Sequence, residues 1–79
     1  KKLMLRLSEL KIGQKAIIQN LLQEEIFLKV LEMGLLPQSQ IEIIGKAPLG
    51  DPINIRVQET MLSLRKSEAQ EIEVSVLEM

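Results

Sequence analysis

The chain contains no histidine, cysteine, tryptophan or tyrosine, and Phe27 is its only aromatic residue. Each absence removes a class of function. Without His or Cys there is no ordinary general base for neutral pH, no imidazole for a transition metal and no thiolate nucleophile. Ser8, Ser39, Ser63, Ser67 and Ser75 have no evident activating base, and caps, turns and strand faces account for them. The expectation is a protein that is not an enzyme and that holds neither a cofactor nor a metal site. Disulfides are excluded, which fits a reducing compartment. A net charge of −1 and the shortage of stacking rings argue against nucleic acid, which needs a cationic field or aromatic platforms. No apolar run approaches the roughly 20 residues of a membrane span, so direct insertion into a bilayer is not expected. Lys1 and Lys2 lead into a mixed stretch containing Arg6 and Glu9 rather than the apolar core of a signal peptide, and a cytoplasmic location is expected.

What is present is a globular composition: 79 residues, 46% hydrophobic and 27% charged, read as a single domain spanning 1–79. Strand periodicity dominates. "QIEIIG" sets Ile41 and Ile43 on one face against Glu42, and "INIRVQ" sets Ile53, Ile55 and Val57 inward against Asn54, Arg56 and Gln58. "MLSLR" repeats the alternation with Leu62 and Leu64, "IEVSV" with Ile72, Val74 and Val76, and "KAIIQN" with Ala16 and Ile18. So many short strands in so short a chain predict a small barrel, because curling a sheet on itself hides edges that would otherwise aggregate.

One helix interrupts the strands. It is predicted between about Gln23 and Met33, opened by Glu24 and Glu25 at the positive end of its dipole and stopped by Gly34 ahead of Pro37. Phe27, Val30 and Leu31 form the predicted buried stripe, with Leu28 and Met33 at its margins. "RKSEAQE" reads as a single helical turn capped by Ser67 with Ala69 inward, and "LSEL" as a similar turn from Ser8. The predicted core includes Ile18, Leu31, Ile43, Ile55, Leu64 and Val74.

The connection "KAPLGDP", Lys46 to Pro52, concentrates two prolines, a glycine and an acid. Gly45 and Gly50 have the spacing of a phosphate-binding loop, but Asp51 and Pro52 stand where that motif needs Lys and then Ser or Thr. Asp51 would repel a phosphate and Pro52 has no N–H to donate. The stretch is therefore a stiff turn, and two roles stay open for it: a connection alone, or a preorganised tip that presents Leu49 to a partner at little entropic cost.

Taken together, "LSELKIGQKAII", "LEMGLLPQSQIEII", "APLGDPINIRV" and "LSLRKSEAQEIEV" resemble the FeoA family, small cytoplasmic proteins of bacterial ferrous iron uptake. The similar motifs fall on Leu31 to Pro37, Ala47 to Pro52 and Leu62 to Ala69, and the match covers nearly the whole chain. Met33 stands where the family commonly has leucine, and Gln38 where glycine often follows the proline. The resemblance implies a mainly β fold: a small SH3-like barrel of five to six strands with one inserted α-helix and a short helical turn before the last strand. It implies a regulatory or accessory role and a protein partner, the cytoplasmic part of FeoB, the GTPase-coupled membrane transporter of ferrous iron. A second function class is a C-terminal SH3-like regulatory domain of a metal-dependent transcriptional repressor, although the chain shows no helix-turn-helix to accompany it. Candidate partner-binding residues are Leu49, Gly50 and Asp51 in the loop, and Leu21, Leu22, Ile26 and Phe27 around the start of the helix. The latter four either form an apolar interface or seal the open end of the barrel. Weak self-association is the other interaction left open. Glu24, Glu25, Asp51 and Glu59 are the acids that an iron site would use, but helix-dipole, turn and solvation roles explain them.

Overall fold

The structure is a computed structural model that describes residues 2–77. Six strands form one antiparallel sheet: β1 (Lys2–Arg6), β2 (Lys15–Leu21), β3 (Gln40–Lys46), β4 (Ile53–Val57), β5 (Thr60–Leu64) and β6 (Ile72–Leu77). Their spatial order is β1-β6-β2-β3-β4-β5, so the sheet curls about the core as a barrel whose ladder stays open between β1 and β5. Helix α1 (Glu24–Glu32) joins β2 to β3, the short α2 (Lys66–Ala69) joins β5 to β6, and a 3-10 turn over Leu7–Glu9 follows β1.

Alternation along each strand produces the core. In β4 the burial runs strictly in and out, with Ile53, Ile55 and Val57 inside and Asn54 and Arg56 outside. Ile55 pairs with Ile43 on one side and Leu62 on the other. The β2–β6 and β3–β4 registers each slip once, at Ile18/Asn20 in β2 and at Ile43/Gly45 in β3, and such bulges add local bend and twist. Ile18, Ile43, Ile55, Leu64 and Val74 are fully buried. Each removes enough apolar surface to contribute about 1.5–3 kcal/mol.

Leu31 does not belong with them. It is half-buried, and the place assigned to it is filled by Val30 and by Leu35 just beyond the helix. Helix α1 faces the barrel with Ile26, Val30 and Met33, spaced four and three apart, rather than with Phe27, Val30 and Leu31. Leu7 and Leu10, in the connection after β1, complete the floor of the core.

The cap of α2 also differs from expectation. Ser67 lies inside the helix and is exposed, while the N–H of Arg65 donates to Glu68 Oε1 at 2.8 Å. A carboxylate three residues in satisfies the backbone of the cap residue without any serine. "RLSE" at 6–9 repeats the arrangement of "RKSE" at 65–68, with the Arg6 N–H donating to Glu9 Oε1 at 2.8 Å. The two turns are joined by a bond from Arg6 Nη1 to the carbonyl of Gln70 at 2.7 Å.

Candidate protein-binding surfaces

The "KAPLGDP" segment is the connection between β3 and β4. Gly50 N–H donates to the Ala47 carbonyl at 2.7 Å and Ala47 N–H to the Pro52 carbonyl at 3.0 Å, which closes a tight turn across Pro48 and Leu49. Proline second and glycine fourth is the residue order such a turn favours. Gly50 has φ +82°, a left-handed geometry that only glycine adopts without strain. Leu49, at the tip, is 91% exposed, which makes it by far the most solvated large apolar side chain among the described residues. Asp51 is turned away from the tip: its Oδ1 accepts the N–H of Lys66 at 3.0 Å. That N–H is one of the donors left unsatisfied at the start of α2, so Asp51 caps a helix distant in sequence and fixes the loop to the barrel.

The second candidate group divides. Leu21 and Ile26 are half-buried and pack against the core, which is the sealing role, whereas Leu22 is 43% and Phe27 37% exposed. Leu28, 57% exposed, extends the solvated apolar surface of α1, although the sequence places it only at the margin of the buried stripe and not among the partner-binding candidates. The stripe was hard to assign because the apolar residues 26, 27, 28, 30 and 31 cover more than half of the circumference of this helix, leaving its polar face to Glu25, Lys29 and Glu32.

Both surfaces are anchored to α2. Lys29 of α1 forms an ion pair with Glu68 Oε2, while Asp51 holds the other end of α2 through Lys66. The Glu68 side chain is 9% exposed and that of Lys29 52%. Burial pushes the Glu68 carboxyl up, but hydrogen bonds from Lys29 and from the Arg65 backbone outweigh it, and the net pKa lies below the ordinary carboxylate range.

A shallow open depression of about 540 Å³ lies elsewhere, lined by Lys15, Leu36, Gln38, Glu42, Arg56 and Gln58 among others. Arg56 and Glu42 approach to 3.7 Å across it. Ser39 is its one hydroxyl, and that oxygen accepts the Leu36 N–H at 3.2 Å as a turn cap. Gln38 and Gln58 both line it with positive φ, +74° and +56°. No three His, Cys, Asp or Glu side chains converge among the described residues in a way that would hold a metal ion, and Glu24, Glu25, Asp51 and Glu59 form no such group. No helix among the described residues is long and apolar enough to cross a membrane.

Residues 5–76 match the FeoA domain family. The chain belongs to that family. Its FeoA domain is 38% identical over 74 residues to an Fe(2+) transport protein A/Fe(2+) transporter FeoB fusion protein of Porphyromonas gingivalis, covering 92% of this chain. The chain spans only 9% of the length of that relative. Among solved structures, a FeoA-like protein from Clostridium acetobutylicum superposes with a TM-score of 0.88 at 40% identity, over 96% of this chain and 90% of the other. A Stenotrophomonas maltophilia FeoA, a procaryotic SH3 domain protein solved in complex with zinc, gives a TM-score of 0.74 at 27% identity over 86% of each chain. The fold is thus the SH3-like one of FeoA proteins. A manganese-dependent transcriptional repressor shares the fold alone, with a TM-score of 0.85 at 14% identity, this chain matching 98% of itself to 44% of the repressor.

Proposed function

We propose that this FeoA domain is an accessory and regulatory protein of bacterial ferrous iron uptake and that it acts by binding the cytoplasmic part of a FeoB-type, GTPase-coupled transporter. The observation that carries this reading is the fused relative, in which a domain 38% identical to this one shares a polypeptide with FeoB. Fusion replaces an encounter between two proteins by a tether, which has value only where the two parts work together. The repressor-domain alternative has weaker support, since it rests on a 14% identical structure that speaks for fold and not for role.

The contact we assign is the Leu49 tip, with Gly50 and Asp51 shaping it and Leu22 and Phe27 as a second contact. A leucine that stands 91% in water on a loop closed by two backbone bonds is already in a binding conformation. Little entropy is lost when it enters a pocket. Iron enters this account as the transporter's cargo, and the domain's contribution is protein recognition at the cytoplasmic face.

The test is titration of the purified domain against the cytoplasmic part of the transporter, with and without guanine nucleotide. Leu49→Ala should keep its melting temperature, because an exposed side chain contributes within about 0.5 kcal/mol to folding. It should weaken binding roughly tenfold or more, as a central apolar anchor does. Gly50→Val is the folding control and should lower the melting temperature. Equal affinity of wild type and Leu49→Ala would reduce the loop to a connection and transfer the contact to Leu22, Phe27 and their neighbours Leu21 and Ile26. No binding by the wild-type domain in any nucleotide state would overturn the proposal.

A further inference from the structure

The ladder stops at β5. On one side β5 pairs with β4 in the register Val57↔Thr60, Arg56↔Met61, Ile55↔Leu62, Asn54↔Ser63 and Ile53↔Leu64, and among the described residues it has no strand on the other. Only Gln58 and Glu59 separate the two strands, so Val57 and Thr60 form the first hydrogen-bonded pair of the hairpin and the pattern alternates from there. Thr60, Leu62 and Leu64 direct their backbone groups to β4. Met61 and Ser63 direct theirs outward, and among the described residues neither takes part in any backbone bond outside the ladder. Both side chains are exposed, Met61 by 53%.

Natural sheets guard such an edge with charge, proline or a covering segment. Thr60–Leu64 has no charged residue and no proline. The charges stand just outside it, Glu59 before and Arg65 after, both exposed, and among the described residues neither side chain makes an ion pair. They are of opposite sign and equidistant from Leu62.

We propose that β5 is a self-pairing edge, through which two copies of this chain join antiparallel about a two-fold axis at Leu62. In that register Met61 of one copy pairs with Ser63 of the other, and each such pair exchanges both of its backbone N–H···O bonds. Glu59 of each copy falls opposite Arg65 of the other, because both lie on the face shared by Met61 and Ser63. Slipping by two residues sets Glu59 against Ser63 or Arg65 against Met61 and leaves the charges unmatched, so the ion pairs select the register. A second copy is the occupant that this edge complements, since the same two residues, Met61 and Ser63, supply the bonds in both copies and the same two charges supply both ends. Pairing β5 with the β1 edge of another copy would be heterologous and would build a ring or a filament rather than a two-fold pair. Five residues of contact fall well short of the roughly 1,200 Å² of a stable complex, so the dimer is weak and exchanges fast. The inference stands independently of the transporter proposal.

The test is dilution of the isotope-labelled domain from about 1 mM to about 20 µM, followed by amide NMR shifts and translational diffusion, a range that spans weak association. The expected result is slower diffusion at the high end, with concentration-dependent shifts concentrated on Thr60–Arg65 and reduced by salt. Met61→Pro removes an outward donor without touching a bond to β4 and should abolish both effects. Glu59→Lys should abolish them by setting like charges opposite, and the double exchange Glu59→Lys with Arg65→Glu should restore them. Unchanged diffusion up to 1 mM would overturn the proposal. So would association that survives both Met61→Pro and Glu59→Lys, shifts confined to α1 or β1, or shifts on β5 that appear only when the transporter's cytoplasmic part is added.

Discussion

Neutralising Glu68 tests whether α2 is an anchor or merely a connection. Its Oε1 accepts the Arg65 N–H at 2.8 Å and its Oε2 meets Lys29, so one carboxylate caps α2 and holds α1 at once. Glu68→Gln keeps an oxygen for the Arg65 amide and removes the charge, while Glu68→Ala removes both. A cap is worth about 1 kcal/mol. The ion pair has one end 52% in solvent, which limits it to the lower range of about 0.2–1 kcal/mol, though the buried carboxylate end raises its share. We expect a loss of about 1 kcal/mol for Glu68→Gln and about 2 kcal/mol for Glu68→Ala. At about 4–8 °C per kcal/mol in a domain of this size, the melting temperature should fall by about 4–8 °C and about 8–16 °C respectively. With no tryptophan or tyrosine to report, far-UV circular dichroism is the assay. The pH dependence supplies an independent check. Because the folded-state pKa of Glu68 is lowered, its contribution is fully present above the unfolded value of about 4.3 and is lost as pH falls through the folded value. The gap between wild type and Glu68→Gln should therefore be constant from pH 7 to pH 5.5 and shrink below about pH 4. A Glu68→Gln variant that melts with wild type at pH 7, or a gap that widens in acid, would refute the reasoning.

Ile55→Asp should unfold the domain, because Ile55 is fully buried between Ile43 and Leu62 and an unpaired charge there consumes most of a total stability of about 5–15 kcal/mol; a folded variant with an unchanged melting curve would place the inward face of β4 wrongly. Gln38→Gly should stabilise modestly. At φ +74° a side-chain-bearing residue costs about 1–2 kcal/mol, of which glycine's looser unfolded state returns about 0.4–1 kcal/mol. A lower melting temperature would show that the bond from Gln38 Nε2 to Gln19 Oε1, 3.3 Å long, matters more than the backbone. Anaerobic calorimetry with Fe²⁺ should give no saturable one-to-one binding at micromolar concentration, since isolated exposed carboxylates compete poorly with water. Such binding would direct attention to the acids near Glu24 and Asp51.

The strands were legible because apolar residues alternate with polar ones at every second position, the period of a half-buried strand and not of a helix. That is why Ile18, Ile43, Ile55, Leu64 and Val74 were placed correctly. The sheet's first strand was not assigned, and its sequence explains why. "KLMLR" is composed of good helix formers, and only pairing with β6, Leu3 to Val76 and Leu5 to Val74, makes it a strand. Leu7, Leu10 and Leu35 escaped for a different reason. They sit in connections, where neither period applies and burial is decided by where the chain crosses the barrel. In α1 and its cap, apolar residues at 26, 27, 28, 30, 31 and 33 leave more than one stripe open, and packing against the core selects Ile26, Val30 and Met33. Ser67 was a sound cap signal defeated locally, since the helix begins at Lys66 with Arg65 as its cap residue, whose N–H Glu68 accepts in a charge-assisted bond. The positive φ at Gln38, by contrast, was foreshadowed by the glycine that often follows this proline in the family.

The two candidate surfaces look independent in sequence, lying roughly 20 residues apart, yet the four residues of α2 hold both. Asp51 reaches its first residue and Lys29 its third, so the Leu49 tip and the exposed face of α1 are fixed to one short element rather than to each other. Such an arrangement separates what each variant reports. Leu49→Ala removes a contact and leaves α2 whole, so it should change affinity without changing stability. Glu68→Gln loosens α1 against α2 and touches no tip residue, so any affinity it loses must come through the placement of Phe27 and Leu28. If Glu68→Gln weakens partner binding while Leu49→Ala does not, the contact lies on α1. If the reverse holds, the loop alone is the contact, and its fixation by Asp51 is what keeps an otherwise costly exposed leucine in place.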